Sequence, residues 1–405
     1  MKVYDEKHIK NIAILGAPKS GKTLLAEDML FEAGIIHRRG TIEGKNTVSD
    51  FHEIEQERGN SVFATCLHTE WKDYKINIID TPGFDDFAGE MIASLRVADT
   101  GVIVINAQHG VEVGTQLIWN YVNQFQKPVI FAINQVDHPK SDFDHALASL
   151  KENFGSAVTQ MQYPLTQGEG FCEIIDLLKM VCYRFPMGGG KPEKLPIPAN
   201  EQEKADKLHN ALVEKAAEND EKLMEKFFES GTLDEDEMRA GLKLGMIHHD
   251  VFPVFCTSSK KNMGSGRMMG FIDNVAPAPR EARPETTTHG KEVSFDPSGP
   301  PVLFVFKSHL EPNLGKITFF KVISGTITST SELVNSETKT VERFHQLFIM
   351  DGKTRQPVER LVAGDIGATL KLKDTYTNQT LCSKGAEVSI TPINFPPARI
   401  RTAVV

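Results

Sequence analysis

The run Gly16-Ala17-Pro18-Lys19-Ser20-Gly21-Lys22-Thr23 has the residue types that hold a polyphosphate. Its glycines let backbone N–H groups turn inward around phosphate oxygens. Lys22 reaches the β- and γ-phosphates, and the Thr23 hydroxyl ligates Mg²⁺. A second run, Asp80-Thr81-Pro82-Gly83, supplies the other half of such a site: Asp80 holds the metal through water and the Gly83 amide reaches the γ-phosphate. A third, Asn134-Gln135-Val136-Asp137, fits a base rather than a phosphate. Asp137 accepts two hydrogen bonds from the N1–H and N2-amino edge of guanine, and Asn134 bonds the O6/N7 side, which excludes adenine. Each of the shorter runs alone would be a capped turn. In this order they predict binding of GTP or GDP with Mg²⁺.

These residues need rigid supports, and the pattern around them supplies strands. Short β-rich stretches at residues 11–15, 75–79, 101–105 and 128–133 alternate with helix formers such as residues 22–32. The alternation predicts βα units around a mostly parallel sheet, with the chemistry at the carboxyl ends of its strands. Residues 186–199 break the pattern with Pro, Gly and Lys. Beyond them, residues 201–228 and 233–244 are rich in helix formers, which predicts a helical insertion at about 150–250. Residues 252–257 return to a strand pattern, and residues 270–275 read as the closing helix. The proline-containing polar stretch 281–300 reads as a linker, and the short strand signals of residues 301–395 predict a small β-barrel. The fold class is therefore α/β, a P-loop G domain over residues 1–280 with a mostly parallel sheet and helical insertion, followed by a small antiparallel β-barrel domain.

Composition sets outer limits. The chain has 405 residues, 40% hydrophobic and 24% charged, the balance of a globular protein with room for more than one core. The N-terminus has no apolar signal stretch and the longest apolar runs are strand-sized, so a cytoplasmic protein away from membranes is expected. A net charge of −9 argues against a protein that coats nucleic acid nonspecifically, and no DNA partner is expected. Residues 301–405 nonetheless hold 13 Lys and Arg against 9 Asp and Glu, a local +4 against −13 elsewhere. The five cysteines, Cys66, Cys172, Cys182, Cys256 and Cys382, are scattered without metal or disulfide spacing.

Beyond the three nucleotide runs, the chain resembles bacterial elongation factor G over essentially its whole length. The resemblance rests on Glu55-Gln56-Glu57-Arg58-Gly59, on residues 110–116, on residues 255–262 (Phe-Cys-Thr-Ser-Ser-Lys-Lys-Asn), and on Gly364-Asp365-Ile366-Gly367-Ala368 with residues 372–375. It implies a divergent paralogue of that translational GTPase, a monomer working on ribosomal RNA and proteins in tRNA and mRNA translocation. By position it assigns Ser258, with Ser259 beside it, to the guanine base, and Ser61 to the magnesium ligand supplied by the first switch. It also implies that residues 396–405 enter a third domain, so that the chain reads as part of a longer factor. Ribosomal protection proteins that displace tetracycline share the same two-domain start and stand as an alternative.

Four departures fall on the chemistry. Phe84 follows Gly83 where the family has a histidine that positions the attacking water, so the expected catalytic set of Lys22, Gly83 and residue 84 lacks its water-orienting member. Lys19 stands where the family has an aspartate near a monovalent cation, and its ammonium is weighed as a replacement for that cation against a solvated loop-tip lysine. Gln135 replaces a lysine whose stem covers the base. Arg58-Gly59-Asn60-Ser61-Val62 replaces a more apolar switch sequence. Together they separate binding from hydrolysis: the chain is expected to bind GTP, and either hydrolyses it slowly or serves as a GTP-dependent binding switch on the ribosome. His248-His249 reads as a helix end, not a metal site. Arg58 is weighed as an arginine finger against an ordinary loop charge.

Overall fold

The computed structural model describes residues 2–187, 190–311 and 315–397. Its first sheet collects β1 (Ile9–Leu15), β2 (Thr65–Trp71), β3 (Tyr74–Asp80), β4 (Thr100–Asn106), β5 (Val129–Asn134) and β6 (Val158–Gln160). Four further strands, β7 (Gln162–Pro164), β8 (Glu173–Asp176), β9 (Val181–Arg184) and β10 (Glu193–Leu195), form a separate antiparallel sheet before β11 (Phe252–Cys256) rejoins the first. The seven-stranded order is β2-β3-β1-β4-β5-β11-β6, parallel except for the β2–β3 hairpin. Every residue of β1, β4, β5 and β11 is buried. Parallel strands covered on both faces read as unbroken apolar runs for this reason. Because β1 lies between β3 and β4, successive connections leave it on opposite sides and open a crevice at its carboxyl end. Register then aligns the strand ends: Ile14 pairs with Asp80 and Val102, and Asn106 pairs with Asn134.

Helices α1 (Lys22–Glu32), α2 (Glu53–Arg58), α3 (Ala88–Val97), α4 (Val113–Phe125) and α5 (Phe143–Phe154) precede the insertion. The segment read as a helical insertion is mixed: β6 to β10 come first, and only then α6 (Gln202–Ala217), α7 (Glu221–Ser230) and α8 (Glu235–His248). Those strands are three or four residues long, too short to show a period in the sequence. Helix α9 (Ser265–Asn274) follows β11. The stretch read as a linker contains a small ladder, Glu285–Thr286 against Glu292–Val293. The expected entry to a third domain falls mostly on residues 398–405, outside the described residues.

Residues after 300 form an eight-stranded antiparallel sheet built on the hairpin Val302–Glu311 with Gly315–Ser324. Leu333 near one end of that sheet and Leu347 and Ile349 near the other share a single buried apolar cluster with Val305, Phe320 and Leu381, so the sheet curls onto itself as a barrel.

The barrel is fastened to the first sheet by buried polar groups. Lys321 Nζ donates to Asp99 at 2.6 Å and to the Val97 carbonyl at 2.8 Å. Lys75 Nζ donates to both oxygens of Asp365 at 2.7 and 3.0 Å. Asn11 donates to Asp99 and to the Gly364 carbonyl, and Asn77 donates to Asp365. On the β2 edge, the His68 amide donates to Asp351 at 2.9 Å and the Gly352 amide donates to the Cys66 carbonyl at 3.1 Å. Gly352 has φ +55°, and a Cβ there would lie 2.2 Å from the Val48 carbonyl oxygen. Only glycine fits that approach. Among the described residues, no helix is long and apolar enough to cross a membrane.

Candidate nucleotide site

The P-loop joins β1 to α1 with the geometry its glycines permit. Gly21 caps α1 with φ +96°, and a Cβ there would sit 2.3 Å from the Asn134 side-chain nitrogen. No side chain caps α1, so the amides of its first turn remain available to an anion. Lys22 is buried, and its Nζ donates to the Gly16 and Ala17 carbonyls at 3.0 and 2.9 Å, closing the loop on itself. Thr81 anchors the second run by donating from Oγ1 to the Ile14 carbonyl at 2.7 Å. Gly83 lies so close that a Cβ would meet Lys22 Nζ at 2.5 Å. The two phosphate runs are therefore one surface.

A cleft of about 360 Å³ opens there, lined by Pro18, Lys19, Lys22, Thr23, Ser61 and Phe84 among others. Thr23 Oγ1 and Ser61 Oγ are 3.2 Å apart, which brings the expected metal ligands together. Asp80 lies behind them, fully buried, with the Thr23 and Ser49 hydroxyls as its polar neighbours. Asp50 joins this group from the segment before α2, also buried and with Oδ1 unpartnered. Burial pushes the Asp50 carboxyl up to about 6 against a hydrogen bond from Ser61 that pulls it down. Burial likewise raises Asp80, and neighbouring Asp50 raises it further. Burial lowers Lys22, with Asp80 and Asp50 opposing. Two carboxylates and two hydroxyls form an all-oxygen donor set, the set a hard cation such as Mg²⁺ takes. The residues present fit that ion.

Asp50 had no motif to reveal it. It reaches the cleft because Glu27 folds the preceding segment back onto α1, accepting from the Gly40 amide at 2.7 Å and the Val48 amide at 2.5 Å. On the other side of α2, buried Glu55 accepts from the Val62 and Phe63 amides at 2.9 and 3.0 Å, which sets Ser61 beside Thr23.

The residues expected at the base cluster behind Gln135, which itself lines the cleft. Asp137 accepts from Ser258 Oγ at 2.6 Å. Asn134 Oδ1 accepts from the Ser259 amide at 2.9 Å and from the Ser259 and Thr257 hydroxyls, while its Nδ2 donates to the Ser20 carbonyl at 2.9 Å. Asn134 is thus a clamp between the P-loop and the Ser258 loop, with its carbonyl oxygen already occupied. Gln135 adopts φ +64° and its Nε2 donates to the Lys19 carbonyl at 2.8 Å, so an amide steadies the P-loop without a charge.

Lys19 is exposed at the loop tip with φ +62°. Phe84 is half-buried in extended backbone and opens the short turn Asp85–Phe87. Arg58 is exposed, and its guanidinium lies 5.8 Å from the Phe87 ring centre. His249 is a left-handed C-cap of α8, as a helix end requires.

A phosphate loop at the switch point of a parallel sheet, a carboxylate at the end of the neighbouring strand and an Asn/Asp turn two strands away define a P-loop nucleotide-binding protein with an appended barrel. Residues 7–278 match the profile of the Elongation factor Tu GTP binding domain, and residues 300–384 match Elongation factor G domain 2. The chain belongs to the Elongation factor Tu GTP binding domain family, and the barrel that follows is of the Elongation factor G domain 2 kind. A crystal structure of a protein from Thermus thermophilus shares the fold with a TM-score of 0.86 at 23% identity, over 97% of this chain and 57% of that one. The chain therefore spans little more than half the length of that protein.

Proposed function

We propose that this chain is the nucleotide-binding part of a cytoplasmic ribosome-associated factor of the translocation type, in which GTP is held firmly and hydrolysed slowly. Gly16 to Thr23 cradle the phosphates, Asp137 with Ser258 reads guanine, and Asn134 and Gln135 hold the two loops in register. Thr23, Ser61, Asp80 and Asp50 would hold Mg²⁺, which when bound neutralises charge on the β- and γ-phosphates. Lys22 stays protonated between Asp80 and Asp50 and directs its ammonium toward the same oxygens. The observation that carries the reading of slow turnover is Phe84. It stands beside Gly83 at the cleft, where a side chain that orients water belongs, and a phenyl ring neither donates nor accepts. The exposed tip position of Lys19 favours a solvated lysine over a built-in cation.

The test is release of inorganic phosphate from GTP, with and without ribosomes, for the protein and for Phe84→His. Slow release is expected from the native sequence, with a rise of about tenfold or more on restoring an imidazole. Native turnover as fast as an ordinary translocase, or no response to Phe84→His, would overturn it. Because Phe84 leaves binding intact, a GTP-dependent docking switch is the second reading, supported if ribosome binding needs GTP but survives a non-hydrolysable analogue unchanged.

A further inference from the structure

His52, His309 and Glu311 meet where the switch segment touches the barrel, and no part of the nucleotide site uses them. His52 precedes α2, while His309 and Glu311 lie on the strand Val302–Glu311. One ligand atom from each falls within 4.8 Å of the others. Glu311 Oε1 is 3.3 Å from His309 Nε2 and 3.8 Å from His52 Nε2. Ligands about 2.0–2.1 Å from a tetrahedral zinc lie roughly 3.3 Å from one another, so one edge is already set and a small rotation of His52 completes the face. We infer that these three side chains form a binding site for a divalent transition metal of the Zn²⁺ class, which would pin the start of the switch helix to the barrel.

Three features support a built site. The ligands are only 19–25% exposed along their side chains. Phe51, Phe63 and the imidazoles pack ring on ring, with centroids 4.0 Å apart for Phe51–His52, 4.8 Å for His52–Phe63 and 5.2 Å for Phe63–His309. Such packing limits ring rotation and keeps the face pre-formed. Burial also lowers both histidines below their usual value; Lys307 lowers both further, and Glu311 opposes. The opposing influence is cationic: Lys307, Lys353 and Arg355 line the same cavity. Lys307 is already engaged, donating to the Ala64 carbonyl at 2.6 Å and to Glu90 at 2.7 Å. Two imidazoles and one carboxylate leave a fourth position for water, an open His₂Glu arrangement. Histidine nitrogen selects this class over Mg²⁺ or Ca²⁺.

The experiment titrates the metal-stripped 405-residue chain with Zn²⁺, and with Co²⁺ as a spectroscopic probe, in excess Mg²⁺ and GDP so that the nucleotide cleft is occupied. One equivalent of Zn²⁺ is expected, with a rise in melting temperature and a visible Co²⁺ band of four- or five-coordinate type. His309→Gln and Glu311→Gln, which keep polar side chains of similar size, should each weaken Zn²⁺ binding about tenfold or more and remove the band. Affinity should hold from about pH 8 to 7 and fall below about pH 6 as the imidazoles protonate. Absence of the Co²⁺ band in the native chain, or Zn²⁺ binding unchanged in both variants, would overturn the assignment.

Discussion

Asp99 and Asp365 at the domain interface are buried to the same depth as Asp80 and Asp50 in the cleft, at 1% and 5% exposed in each pair. Their partners differ. Asp99 receives Lys321 and Asn11, and Asp365 receives Lys75 and Asn77. In the cleft, Asp80 faces the Thr23 and Ser49 hydroxyls and Asp50 faces Ser61, with no ammonium or guanidinium among the described residues paired to either. Depth alone therefore does not separate the two pairs, whereas the kind of partner does. A buried anion with a lysine fastens domains, and one facing hydroxyls and an open cleft is arranged for a cation.

Removing an interface anion should have the largest effect. Asp99→Ala strands Lys321, 0% exposed along its side chain, without a counter-charge, and should lower stability by ~3–5 kcal/mol in urea unfolding. A loss below about 1 kcal/mol would mean that the interface pair is not the fastening described. Next comes Lys22→Ala in the cleft. It should weaken GTP about 100-fold, ~2.7 kcal/mol, in a fluorescent-nucleotide titration, while leaving the fold intact because its partners are loop carbonyls.

The smallest effect sharpens the contrast most, because its sign is reversed. Asp50 titrates higher in the folded chain than in the unfolded one. The folded state therefore binds more protons between those values, and stability falls as pH rises from about 4 to about 6. Above that window the charge is an uncompensated cost in the nucleotide-free protein. Asp50→Asn should accordingly raise nucleotide-free stability at about pH 7.5 by ~1 kcal/mol, with little change at about pH 4. Thermal unfolding at the two pH values reads this directly, and the same variant should bind GTP with Mg²⁺ more weakly.

Much of this was legible in the sequence, for a physical reason. The P-loop, Asp80 and the Asn134 turn are contiguous runs fixed by strand ends, so local pattern places them. Asp50 was not legible, since it reaches the cleft through Glu27 and Glu55, whose hydrogen bonds join segments without periodicity. Nor was the double duty of Asn134, because only the fold shows that Ser20 and Ser259 occupy its amide. The sheet of β7 to β10 escaped because strands of three or four residues leave no period to count. The interface pairs join residues more than 200 positions apart, where no spacing rule applies.

Gly352 has a mechanical consequence. With no side chain between its backbone and the Val48 carbonyl, the barrel and the segment before α2 meet main chain to main chain. A side chain there could bend and absorb a displacement of Val48, but two backbones in contact cannot. A displacement of Val48 toward the barrel would therefore press directly on the hairpin bearing Asp351, so the segment before α2 and the barrel are coupled through main chain alone.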